Sequence, residues 1–339
     1  MQSRPEPAGL NESFVVAPQW IGDAVMTEPL LRRLQARGER LTVAALPWVA
    51  PVYRAMPHVS EVIELPFRHS GLQFQARRQL ARQVAGRYQT AYVLPNSLKS
   101  ALLPFLAGIP RRVGYLGEAR VGLLTHRLKN PGKKPPMVAF YSALSGDRDD
   151  LALDRPQLQL PASEVPAALA SQGLQRQGFF VFAPGAEFGP AKRWPADHFS
   201  ALARQLERPV LLLGSAKEAA LCESIAAASP PGRCINLAGQ TSLAQAFALI
   251  SAARAVISND SGLMHVAAAL DVPQVALFGS SSPLHTPPLN PRARVLWLKN
   301  DLQYQPPLDC SPCFQRECPL GHTRCMVDLA PQRVLAALP

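Results

Sequence analysis

Short runs of branched and aromatic residues recur along the chain. Each is bounded by turn residues and followed by a stretch whose apolar positions repeat every three or four residues. In the first half the runs are FVVA (14–17), LTVAA (41–45), VIEL (62–65), TAYVL (90–94) and RRVGY (111–115). Helical patterns cover 23–37, a short stretch near 49–56, 71–86 and 98–107. A second series starts at FFVFA (179–183) and continues through VLLLG (210–214), INLAG (235–239), AVISN (255–259) and QVALF (274–278). Its helices fall at 195–206, 217–228, 243–252 and 262–270. Apolar runs this short between turn signals predict buried strands. Strand–helix alternation predicts parallel sheets with helices on both faces. The fold class is therefore α/β, with two doubly wound domains facing a central cleft.

The stretch 145–178 is polar, punctuated by proline and without strong periodicity, so it holds the domain boundary. The division expected is 1–160, then 161–330, then a C-terminal helix within 331–339 that packs back on the first domain. No repeat or low-complexity tract interrupts this order.

At 339 residues, 47% hydrophobic and 17% charged, the chain has the composition of a globular protein with real cores. No run of about 18 apolar residues suggests a membrane span. The first residues, MQSRPEPAGLNES, lack the apolar core of an export signal, which leads to the expectation of a cytoplasmic protein. The net charge of +11 is uneven: residues 1–150 hold 20 Lys and Arg against 11 Asp and Glu, the remainder 15 against 13. Such a basic first half suits an anionic partner, whether nucleic acid, a membrane face or an acidic lipid, or it serves solubility alone.

Four stretches carry candidate chemistry. In APQWIGDAVMTEPLLRRL (17–34) a strand gives way to a helix near Asp23. That acid is either a first-turn cap or a carboxylate pointing beyond a strand end, where parallel sheets bind ligands. No G-x-G-x-x-G follows the strand, so this is not a dinucleotide fingerprint. PGAEFGPAKRWP (184–195) places Lys192 and Arg193 just before a helix, where the macrodipole itself prefers an anion. That placement makes sense if a phosphate arrives there. In AVISNDSGLMHVAAAL (255–270) a strand turns through Asp260, Ser261 and Gly262 into a helix carrying His265 one turn in. This is either a capped junction or an anion site of free N–H groups plus a hydroxyl. Finally, DCSPCFQRECPLGHTRCM spaces Cys310, Cys313, Cys318 and Cys325 as C-x2-C-x4-C-x6-C with His322 nearby. In a cytosolic chain that density favours a structural metal over disulfides, although the spacing is not that of a standard zinc finger. The acidic run at 146–150, with Asp147 and Asp149 split by Arg148, reads as a solvated charge run.

PGAEFGPAKRWP, the segment AYVLPNSLKSALLPFLAGIPRRVGYLGEARVGLL (91–124) and NDSGLMHVAAAL (259–270) closely resemble the ADP-heptose–lipopolysaccharide heptosyltransferases of glycosyltransferase family 9. The likeness runs from about Phe14 to the C-terminal helix and is nearest to the members that add the second heptose. The resemblance implies a GT-B fold of two Rossmann-like domains and an inverting transfer of L-glycero-D-manno-heptose from ADP-heptose to the first heptose of the inner core. No cofactor would be required for catalysis. It further implies Asp23 as general base, Lys192 as the cation on the donor phosphates with Arg193 beside it, and Asp260, Ser261, Gly262, Leu263 and His265 as the donor-binding turn. Glu218 falls where family members contact the nucleoside, and the Cys cluster is not common to all of them.

A lipid A–inner-core acceptor carries phosphates and acidic sugars and lies in the anionic inner face of the inner membrane. The expected location is therefore cytoplasmic with peripheral membrane contact, steered by Arg77, Arg78, Arg82, Arg87, Arg111, Arg112 and Arg120. Three rivals remain at this level: the first heptosyltransferase of the pathway, a GT-B transferase using another sugar nucleotide, and a basic nucleic-acid binder. The last predicts aromatics interleaved with the basic residues and a recognisable motif, and the sequence has neither.

Overall fold

The computed structural model of the protein describes residues 11–67, 71–132, 134–147 and 154–339. It forms two compact units, Met1–Asp154 and Arg155–Pro339, each built on one six-stranded sheet whose strand pairs all run parallel.

In the first unit the strands are β1 (Asn11–Val16), β2 (Glu39–Ala45), β3 (Val59–Glu64), β4 (Thr90–Val93), β5 (Arg111–Tyr115) and β6 (His126–Leu128), in the order β3-β2-β1-β4-β5-β6. Helices α1 (Ile21–Met26), α2 (Glu28–Ala36), α3 (Ala50–Arg54), α4 (Phe74–Val84), α5 (Leu98–Leu106) and α6 (Met137–Ser142) surround them. Phe14, Val16, Leu80, Val84, Tyr88 and Leu103 form one buried core between sheet and helices. The pattern predicted one helix over 23–37, but two form. Pro29 lacks an N–H and its ring crowds the carbonyl four residues back, so the chain breaks at Thr27. Thr27 closes α1 by donating its N–H to Asp23 O and its hydroxyl to Ala24 O.

The second unit has β7 (Phe180–Ala183), β8 (Val210–Leu212), β9 (Cys234–Asn236), β10 (Val256–Asn259), β11 (Gln274–Phe278) and β12 (Ala293–Trp297), ordered β12-β11-β10-β7-β8-β9. Its helices are α7 (Glu164–Ser171), α8 (Ala196–Gln205), α9 (Ala219–Ala227), α10 (Leu243–Ala252), α11 (Gly262–Ala269), α12 (Arg324–Val327) and α13 (Pro331–Ala336). The C-terminal helix α13 packs on α8 of its own unit, with Val334 in the same core as Phe199 and Trp194.

Four of the seven arginines expected to steer an anionic acceptor are occupied within the fold. Arg120 is fully buried and donates to the carbonyls of Pro95, Ser97 and Tyr115 and to Asn96 Oδ1. Arg77 is buried too, bonded to Leu72 O and stacked 4.2 Å from the Phe67 ring centroid. Arg112 bonds Leu123 O at 2.7 Å, and Arg87 pairs with Glu61 at 2.9 Å. Arg78, Arg82 and Arg111 are left exposed and outside those contacts. A count of cations along a sequence overstates the field outside, because long Arg side chains also serve as polar cement for carbonyls.

Candidate active site

Open parallel sheets bind ligands beyond the carboxyl ends of the two neighbouring strands at which the strand order reverses. In the second unit those strands are β7 and β10. The segments leaving them are 184–195 and 260–261, the two motifs singled out from sequence. Asn259, fully buried, ties them together: its Nδ2 donates to Pro184 O at 2.7 Å and its Oδ1 accepts from Trp194 N at 3.0 Å. Trp194 is itself pinned through Nε1 to Leu329 O at 2.7 Å.

Between those anchors Lys192 ends a single 3-10 turn, Pro190–Lys192. Its Nζ lies 2.6 Å from Asp260 Oδ2, a pair whose side chains are 18% and 5% exposed. The same ammonium sits 5.3 Å from the Phe188 ring centroid. The adjacent cations therefore divide: Lys192 turns inward to Asp260, whereas Arg193 is exposed. Asp260 Oδ1 also accepts from Thr286 Oγ1 at 3.3 Å and stands 4.0 Å from His265 Nε2. Gly262 and Leu263 open α11 half-exposed. Ser261 precedes it in extended conformation without capping it, and its buried hydroxyl has no partner among the described residues. Ser280 and Ser281, just past β11, hold two more such hydroxyls. The buried hydroxyl of Ser261 and the N–H groups that open α11 follow Asp260, which holds Lys192, and together they form a polar nook suited to an anion.

His265 is buried on the inner side of α11. Burial drives its pKa down to about 4, with Asp260 opposing and Lys192 adding to the fall. The ring is thus neutral at pH 7 and cannot supply charge to a ligand. Because the folded pKa lies below that of the unfolded chain, the unfolded state takes up the proton first as pH falls. The His265 contribution to stability should accordingly be constant above about pH 6.5 and decline from there to about pH 4. His265→Gln should flatten that part of the thermal-midpoint profile; an unchanged slope would assign it to other groups.

Glu218 ends the turn Ala216–Glu218 and closes a capping box with Ser215, accepting from its N–H at 2.7 Å. Its carboxylate also lies over Gly185, where an added Cβ would meet Oε1 at 1.6 Å. The side chain predicted to contact the nucleoside therefore already braces the start of the loop that carries Lys192.

The cysteine-bearing segment supports the same loop. Arg316 O accepts from Ala191 N at 3.0 Å, Phe314 N donates to Ser280 O at 2.7 Å, and Ser311 Oγ donates to Gly279 O at 2.7 Å. Cys310, Cys313, Cys318 and Cys325 line one pocket with His322. Among the described residues, however, no group of three or more His, Cys, Asp or Glu side chains is arranged to hold a metal ion. The structural metal expected from the spacing is therefore not supported, and the segment's observed role is to buttress the two loops.

In the first unit β1 and β4 flank the reversal of strand order. The chain leaving β1 enters α1, whose N-cap Trp20 makes no side-chain cap bond and whose first turn carries Asp23, half-buried. Tyr141 of α6 donates its hydroxyl to Asp23 Oδ1 at 3.0 Å. Asp147, which the acidic run suggested as solvated, is held by Arg33, Arg37 and Ser145. Asp149 lies outside the described residues. No helix among the described residues is long and apolar enough to cross a membrane.

Sequence reasoning singled out Asp23, Lys192 and Asp260 as candidates but not Tyr141, Thr286 or Asn259, which bond Asp23, bond Asp260 and tie the two loops. Asn259 stood in a quoted motif, yet its two-loop bridge is visible only in three dimensions.

The profile of glycosyltransferase family 9 (heptosyltransferase) matches residues 77–324. The chain is 42% identical over 344 residues to lipopolysaccharide heptosyltransferase 2 of Escherichia coli K12, covering 96% of this chain and 97% of that protein. It is 37% identical to lipooligosaccharide heptosyltransferase 2 of Haemophilus ducreyi, at 96% and 97% coverage. The solved structure of E. coli ADP-heptose lps heptosyltransferase II superposes with a TM-score of 0.83 and 40% identity, over 96% of this chain and 97% of that one.

Proposed function

The chain belongs to glycosyltransferase family 9, and from that membership we propose that it moves L-glycero-D-manno-heptose from ADP-heptose onto the first heptose of the lipopolysaccharide inner core, with inversion. The observation that carries the reading is the nook at β7 and β10: Lys192 fixed by Asp260, the N-terminus of α11, and the buried hydroxyl of Ser261. These are groups suited to a diphosphate.

The acceptor hydroxyl attacks the anomeric carbon as the bond from that carbon to the ADP oxygen breaks. The electron pair leaves on the β-phosphate, and the hydroxyl proton passes to Asp23. A carboxylate, with an ordinary pKa of about 3.9, is a weak base toward a resting hydroxyl. It suffices because the hydroxyl grows acidic as the new glycosidic bond forms. On the donor side Lys192, with the exposed Arg193 beside it and the α11 N–H groups, stabilises the departing charge, so the step needs no metal. Glu218 holds the loop and faces the nucleoside, Gly262 and Leu263 admit the phosphates closely, and His265 remains a neutral neighbour of Asp260.

Two acceptors test the assignment: inner core bearing no heptose and inner core bearing one, each with ADP-heptose. Transfer is expected only to the second; transfer to the heptose-free acceptor would reassign the chain to the preceding step. A larger thermal stabilisation by UDP than by ADP would overturn the donor. The protein works at the cytoplasmic face of the inner membrane in this reading, drawn by Arg78, Arg82 and Arg111 to an anionic surface. Its association with anionic vesicles should weaken steeply with salt.

A further inference from the structure

We propose that Tyr141 is a positioning residue for the reaction: its hydroxyl fixes the Asp23 carboxylate in the orientation that receives the acceptor proton and keeps that carboxylate ionised. The inference rests on the reading of Asp23 as the base. Three short helices build the arrangement. Asp23 projects from α1, Tyr141 from α6 and Tyr53 from α3, and both α3 and α6 pack on α1. Tyr141 is 4% exposed, its ring edge-on to Phe140 at 5.5 Å, and Phe140 is stacked in turn on Tyr115 at 4.0 Å. The phenol is therefore held by packing and meets Asp23 Oδ1 at 3.0 Å in a fixed direction. Burial raises its pKa well above the ordinary tyrosine value, and the Asp23 charge adds to the rise. It remains a neutral donor at every pH at which the enzyme works.

Tyr53 makes the contrast. It is fully buried and feels the same carboxylate, but its hydroxyl meets Thr27 Oγ1 at 3.2 Å. The charged groups on the packed elements have ion-pair partners of their own. Glu28 faces Arg32 and His58, Arg33 faces Asp147 and Asp154, and Arg54 faces Glu64. A buried phenol bonded to a half-exposed carboxylate does two things at once. It removes rotational freedom from a group that must meet a sugar hydroxyl within hydrogen-bond reach. It also stabilises the charged form, since a hydrogen bond donated to a carboxylate lowers its proton affinity.

Tyr141→Phe deletes one oxygen and leaves the packed ring. We expect kcat to fall roughly tenfold with KM for ADP-heptose changed less than about twofold, the pattern of an interaction used in the transition state. The acid limb of the kcat/KM profile should move up by about one pH unit, as loss of one charge-assisted bond implies. His265 is common to variant and parent, so the difference between their limbs isolates Asp23. Tyr53→Phe should leave the limb where it is. Should Tyr141→Phe fold poorly, 3-fluorotyrosine at position 141 retains the shape with a stronger donor, and the limb should then move down. A parent-like kcat and acid limb in Tyr141→Phe, or an unmoved limb in the fluorinated enzyme, overturns the proposal. An Asp23→Asn enzyme that keeps its turnover instead removes the base reading beneath it, so the two failures are told apart.

Discussion

Asp23→Asn should fold, bind ADP-heptose like the parent and lose about three orders of magnitude in kcat, within the range removal of a general base produces. The amide keeps the shape of the carboxylate and an oxygen to accept the Tyr141 hydroxyl, so the packing of α1 against α3 and α6 has no reason to change. What disappears is the ability to take a proton. The competing account of Asp23 is a first-turn acid stabilising its helix, a role worth about 0.3–1 kcal/mol at such a position. α1 is six residues long and makes no side-chain cap bond at its N-terminus, so the cap role by itself carries little stability. The two accounts diverge sharply. A base variant is inactive with a nearly unchanged thermal midpoint, whereas a cap variant is slightly less stable and nearly fully active. Turnover within a few-fold of the parent would reduce Asp23 to a cap.

The central strands were legible because burial on both faces of a parallel sheet leaves continuous apolar runs. Phe14–Val16, Val181–Phe182 and Val256–Ile257, all at or near zero exposure, were written as such runs. Of the four edge strands, β3 and β9 were legible as VIEL and INLAG, but β6 and β12 were not. β6 has three residues, two of them exposed, and Arg294 and Val295 of β12 are exposed as well, so neither of these two shows an apolar run. α6 follows KKPP and is six residues long, too short for a helical period to emerge. α7 falls inside the polar stretch 145–178 because Pro166 and four small residues blur its apolar stripe, although Val165 and Leu169 are buried where it packs on α10.

The site was legible in proportion to its locality. Strand-end turns announce themselves through Gly, Pro, Asn, Asp and Ser, which is how Lys192 and Asp260 were found in separate segments. Their pairing was not, because it depends on which strands are neighbours: β7 and β10 adjoin in space but lie some 70 residues apart in sequence. The same limit hid Tyr141, whose partner lies 118 residues away. The cysteines show the converse limit: local spacing pointed to a metal, and it gave no hint that their segment carries hydrogen bonds to residues 191, 279 and 280.

Lys192→Ala should lower kcat by roughly a hundred- to a thousandfold, the loss typical of removing one preorganised group that stabilises transition-state charge. It should also lower stability, because the carboxylate left behind is 5% exposed and, among the described residues, keeps Thr286 at 3.3 Å and a neutral His265. Stranding one member of a largely buried pair costs about 3 kcal/mol, reduced here by the partial exposure of the lysine. The two losses have different origins and can be separated. Adding Asp260→Asn removes the stranded charge, so Lys192→Ala/Asp260→Asn should recover most of the thermal midpoint. It should not recover turnover, since the missing ammonium is what meets the leaving diphosphate. If the double variant regains both, Lys192 serves the fold through Asp260 and the charge on the departing ADP must be met by other groups. If it regains neither, the ion pair is not what Lys192→Ala destabilises. Recovery of stability without activity is the outcome expected of a cation that Asp260 aims and the donor phosphates use.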